Sequence, residues 1–133
     1  DVARFLGGAK AAYRMILEAF WRGDREALRE LCDDDSYAVL EAAISEREAR
    51  NEVLENRLVT IEGAVITSAV LDGRDARIAV RFEADIVAIT RDADGRIIAG
   101  SMTDAASTTD VWSFRRNIDS SDPNWLLDET DAA

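Results

Sequence analysis

The hydrophobic repeat changes character once along this chain, at Asn51. Before it, apolar residues recur every three or four positions. Ala9, Ala12, Tyr13, Ile16, Leu17 and Phe20 mark one face of an amphipathic helix, and Lys10, Arg14, Glu18 and Arg22 fall on the other. After it, apolar and polar residues alternate. Ala76, Ile78, Val80, Phe82, Ala84 and Ile86 point one way, and Arg77, Arg81, Glu83 and Asp85 the other. Helices first, then an antiparallel meander, define an α+β domain.

Punctuation residues divide the two halves. Gly7-Gly8 is expected to open the first helix and Gly23 to end it, since glycine suits a left-handed C-terminal position. Asp24 can cap a short second helix carrying Ala27, Leu28 and Leu31. Asp33, Asp34 and Asp35 start a third, where negative charge complements the helix dipole. Its buried stripe is expected to be Tyr37, Leu40 and Ile44, flanked by Val39 and Ala43. A long first strand spans Leu58 to Ile66, bent at Gly63. Asp72-Gly73 turns it into the second strand. A third runs from Ile97 into Trp112 and Phe114, and a fourth begins at Trp125. Strands this long must twist and curl. Three N-terminal helices packed on a curved antiparallel four-stranded sheet give a cystatin-like cone, the shape of nuclear transport factor two.

The whole chain, 1–133, is expected to be one domain, with a leading segment at 1–8 and a frayed tail at 131–133. At 14.7 kDa, roughly two thirds of the unfolded surface is buried on folding, enough for one core. The single Cys32 cannot form an internal disulfide and reads as a core residue. Histidine is absent, which removes the commonest metal ligand and the usual base near neutral pH. The Asp33–Asp35 run does not have the spacing of a calcium loop, so neither a metal nor a cofactor is expected. The opening at Asp1 is that expected of a piece of a longer or processed protein.

A net charge of −11 argues against nucleic acid, which requires a basic footprint. The charge is uneven. Residues 1–32 carry six basic and five acidic groups, and the remainder has a net charge of −12. Contact with a negative surface would therefore use the N-terminal third. Arg4-Phe5-Leu6, followed by Lys10 and Arg14, has the makeup of an interfacial amphipathic segment. Trp21 lies off the buried stripe and is expected to be an exposed contact residue.

The C-terminal part carries the most specific pattern. Asp110-Val111-Trp112-Ser113-Phe114 is followed by Asp122-Pro123-Asn124-Trp125 and Leu127. Upstream stand Gly8-Ala9, the Tyr13 to Phe20 helix, Gly23-Asp24 with Leu28, Ile44 with Arg47, and Val80-Arg81-Phe82. Together these residues resemble the Tim44-like family, the C-terminal domain of the mitochondrial import-motor tether, and more closely its bacterial members. Asn51 stands where that pattern has glycine, and Asn tolerates the same left-handed backbone.

The resemblance implies a non-enzymatic, membrane-associated adaptor at the cytoplasmic face of a bacterial inner membrane, held peripherally or through an upstream anchor. Its partners would be anionic lipid or membrane proteins, met through Arg4, Lys10, Arg14 and Trp21. A pocket would use Phe20, Phe82, Trp112 and Phe114. Two alternatives come from other classes. Cone-shaped isomerases and dehydratases set an aspartate base in the cavity, and Asp110, on the Trp112 face, is the candidate here. Curved sheets also pair face to face, so a homodimerisation module is the other.

Overall fold

A computed structural model describes residues 1–132. Three helices lie against one face of a four-stranded antiparallel sheet, the architecture expected from the change of repeat. The first helix, α1, spans Val2–Arg22, with Asp1 capping it by accepting from the Ala3 backbone N–H at 3.0 Å. Gly7 and Gly8 lie inside this helix and do not open it. The expected leading segment is therefore its first two turns. Gly23, at φ 74°, ends it in the left-handed conformation.

Helix α2 (Arg25–Leu31) is capped by Asp24, and α3 (Asp34–Ala49) by Asp33, whose carboxylate accepts from the Ser36 N–H at 2.9 Å. Arg25 ties the two helices by pairing with Glu41 and, at 2.8 Å, with Glu48. Asn51 follows α3 at φ 54°, as its tolerance of that backbone predicts. The buried stripe of α3 differs from expectation. Ser36, Ile44 and Arg47 are buried, Tyr37 and Leu40 are half-buried, and Val39 is 65 % exposed.

Strands β1 (Val53–Leu54), β4 (Ile89–Arg91) and β5 (Ile97–Gly100) form a small second sheet in the order β1-β4-β5. The main sheet runs β2 (Arg57–Asp72), β3 (Asp75–Val87), β6 (Ala106–Asn117), β7 (Leu126–Ala132). The expected third strand is thus two strands in different sheets. Gly100 marks the break, with φ 87° and a backbone so close to Ala88 that an added Cβ would lie 1.8 Å from its carbonyl oxygen. The β2–β3 register shifts at Leu58/Thr60, Ile61/Gly63 and Ile66/Ser68. These irregularities keep Leu58, Ile61, Ala64 and Ile66 packed on the core despite their uneven spacing, and they bend the strand. Of the expected tail, Asp131 and Ala132 are in β7, and Ala133 lies outside the described residues.

The core forms where α1 crosses the sheet. Tyr13 stacks on Phe82 with ring centres 4.3 Å apart and meets Trp112 at 4.6 Å. Ile16, Leu28, Ile44, Val80, Phe114 and Leu127 complete it. Cys32 is buried beside Leu127 as a core residue, and burial, aided by the Asp33 charge, pushes its thiol up to about 12.

Candidate binding cleft

A cleft of ≈ 1110 Å³ opens between the first half of α1, the end of α2, the sheet and the segment before β7. Helix α1 contributes Phe5, Gly8, Ala9 and Ala12. The small residues Gly8, Ala9 and Ala12 leave the groove open beside Phe5, and a Cβ added at Gly8 would meet nothing within 4 Å. The sheet supplies Ile66, Ile78 and Phe114 as floor.

The far wall is the Asp122–Trp125 turn. Asp122 Oδ1 accepts from the Asn124 N–H at 2.9 Å, and its carbonyl accepts from Arg116 Nε at 3.1 Å. This turn sets Trp125 edge-on against Phe5, with ring centres 5.3 Å apart at 79°. The Asp-Pro-Asn-Trp motif therefore builds a wall of the cleft. Arg4, Asp1, Glu30 and Asp122 stand at the rim.

The four residues expected at a lipid or partner surface do not share one face. Lys10 and Arg14, one turn apart, are exposed on the outer side of α1, and neither forms an ion pair among the described residues. Arg4 is on the cleft side. Trp21, expected to be exposed, is half-buried and packs against the core.

The four residues expected in one pocket are also divided. Phe114 is part of the cleft floor. Phe20 and Trp112 border a separate recess of ≈ 340 Å³ with Ile16, Leu17, Leu40 and Asp110. Phe82 is sealed in the core. Residues not singled out for a pocket, Phe5, Ile66, Ile78 and Trp125, form most of the apolar wall. Strand alternation marks Ile66 and Ile78 as inward-facing, but it does not tell which inward residues stay uncovered.

Asp110 is half-buried in its recess, and burial raises its carboxyl above the ordinary aspartate range. Tyr13 lies nearby, its hydroxyl buried without a hydrogen-bond partner. Burial first, then the Asp110 charge, raises the Tyr13 pKa. Asp110 does not line the large cleft. No cluster of metal-ligating side chains is present among the described residues.

The model of the Tim44-like domain family matches residues 1–132. A Caenorhabditis elegans protein described as a probable mitochondrial import inner membrane translocase subunit, tin-44, is 22 % identical over 109 residues. That match covers 81 % of this chain and 26 % of the nematode protein. Among solved structures, the intermembrane space region of the chloroplast protein ARC6 is similar, with a TM-score of 0.57 at 15 % identity over 94 % of this chain and 97 % of that one. A conserved protein from Planctomyces limnophilus gives 0.55 at 20 % identity over the full length of both. A dehydratase candidate of the NTF2-like family from Streptomyces avermitilis gives 0.54 at 15 % identity over 96 % of each. At these identities the structural likeness establishes the fold.

Proposed function

Because the chain belongs to the Tim44-like domain family, we propose that it is a non-catalytic adaptor working peripherally at an inner membrane, on the cytoplasmic face in a bacterium. The observation that carries this reading is the open apolar cleft. It is walled by Phe5, Ala12, Ile78, Phe114 and Trp125, and the candidate base, Asp110, lies outside it. A cleft of this kind favours the apolar part of a guest through burial, at about 25 cal/mol per Å². Without a base or nucleophile at its floor, it grips and does not turn over.

The membrane contact belongs to the outer face of α1. Lys10 and Arg14 project there without ion-pair partners among the described residues, so their charge is available to an anionic surface. Each such group contributes about 1 kcal/mol near anionic lipid. Attachment through them is weak and salt-sensitive. No helix among the described residues is long and apolar enough to cross a membrane. The cleft rim itself, with Asp1, Glu30 and Asp122 against Arg4, repels an anionic headgroup.

Co-sedimentation with cardiolipin-containing vesicles at low and high salt tests the proposal. The parent should pellet at low salt and be released at high salt. A variant with Lys10 and Arg14 changed to Glu should stay in the supernatant at both. Equal recovery of parent and variant would end the membrane reading.

A further inference from the structure

The recess between α1, α3 and β6 is not used by that reading, and it has a chemistry of its own. Ile16, Leu17 and Phe20 come from α1, Leu40 from α3, Trp112 from β6, and Thr130 and Asp131 from β7. Asp110 sits on the same sheet face as Trp112, opposite Phe82 on β3. Its carboxylate is half-buried and accepts no hydrogen bond and forms no ion pair among the described residues. The nearby Tyr13 hydroxyl, though buried, does not bond to it.

An unpaired, half-buried carboxylate beside apolar walls is unfavourable, the exposed Asp131 adds a second negative charge at the recess, and the ligand that relieves both most is a cation. Trp112 and Phe20 border the same space, and aromatic faces attract organic cations by a further increment. An anion is repelled, and a neutral apolar ligand leaves the carboxylate unpaired. The volume of ≈ 340 Å³ stands at the small end of ligand sites, fitting a short chain and not a large ring system.

We propose that this recess is a binding site for a small primary alkylammonium, its charged head on Asp110 and its short apolar chain against Leu17, Phe20, Leu40 and Trp112. The site is separate from the cleft and does not depend on what the cleft holds.

Isothermal titration with hexylammonium, hexanol and hexanoate at neutral pH tests it. Hexylammonium should bind one to one, and the neutral and anionic analogues roughly tenfold or more weakly, as expected for loss of a charged hydrogen bond. Asp110→Asn should lose the same factor for hexylammonium while melting no lower than the parent. Ala12→Trp, which fills the other cleft, should keep the parent's affinity. Equal binding of the three ligands would overturn the proposal. So would undiminished binding by Asp110→Asn, loss of binding in Ala12→Trp, or no hexylammonium binding at millimolar concentration.

Discussion

Arg47 of α3 donates from Nη2 to the carbonyl oxygen of Phe20 at 2.6 Å, and its guanidinium lies 5.0 Å over the Phe20 ring. A second bond reaches the Trp21 carbonyl at 3.0 Å. These carbonyls belong to the last turn of α1, where the helix runs out of its own donors, and the Phe20 carbonyl also accepts from the Gly23 N–H at 3.2 Å. Arg47, 8 % exposed, thus caps one helix from another and ties the end of α1 to α3. Arg47→Ala should lower stability by roughly 2–3 kcal/mol in denaturant unfolding, since it removes two charged hydrogen bonds that link α3 to the end of α1. Arg47→Lys should recover only part, because an ammonium lacks the planar fork.

Gly100 joins the small sheet to the loop leading into β6. At φ 87°, with the Ala88 carbonyl where a Cβ would stand, only glycine fits without moving backbone. Gly100→Ala should cost about 2 kcal/mol or more, seen as a lowered unfolding midpoint. Gly63→Ala, where an added Cβ meets nothing within 4 Å, should be milder.

Asp128 lies between Asp33 and two arginines. Its Oδ2 is 3.5 Å from Arg77 Nη1, while Asp33 Oδ2 is 3.8 Å from Arg115 Nη1. Burial first, and a shared hydrogen bond with Asp33 second, raise the Asp128 carboxyl above its ordinary value, with Arg77 and Arg115 opposing. A raised folded-state value favours the protonated form. Its stabilising contribution is present below the ordinary aspartate pKa and is lost as pH rises through the raised one. Asp128→Asn should therefore gain stability relative to the parent as pH goes from roughly 4 to 7. Thermal melts across that range check the sign, and a variant that loses stability relative to the parent as pH rises would contradict it.

Tyr13 fills the centre of the core, yet its hydroxyl makes no hydrogen bond. Tyr13→Phe keeps the stack on Phe82 and removes an unsatisfied polar group. It should leave the protein as stable as the parent, or about 1 kcal/mol more so by denaturant unfolding. Tyr13→Ala should cost about 3–5 kcal/mol by opening a cavity.

Much of this architecture was legible because period and capping are local. The Tyr13 and Phe20 stripe, the Asp24 and Asp33 caps, and the alternation through Val80 and Phe82 each follow from residues close in sequence. The bulge at Gly63 was legible because glycine marks it, whereas the shifts beside Leu58 and Ile66 carry no such mark. Arg47 was recognisable only as part of a family pattern. Its burial depends on carbonyls 26 and 27 positions away. The split of the third strand depends on Gly100 meeting Ala88 across the small sheet. The cleft was least legible. Whether Phe114 or Phe82 faces open space is decided by how far α1 covers the sheet, and alternation gives both the same inward direction.

Binding of a neutral naphthalene-type fluorescent probe to the parent, Ala12→Trp and Asp110→Asn addresses the central claim most directly. The parent should bind it saturably, with energy transfer from Trp125 in the cleft wall. Ala12→Trp should lose binding while keeping its melting temperature, and Asp110→Asn should bind as the parent does. Undiminished binding by Ala12→Trp, or loss of binding in Asp110→Asn, would contradict the account.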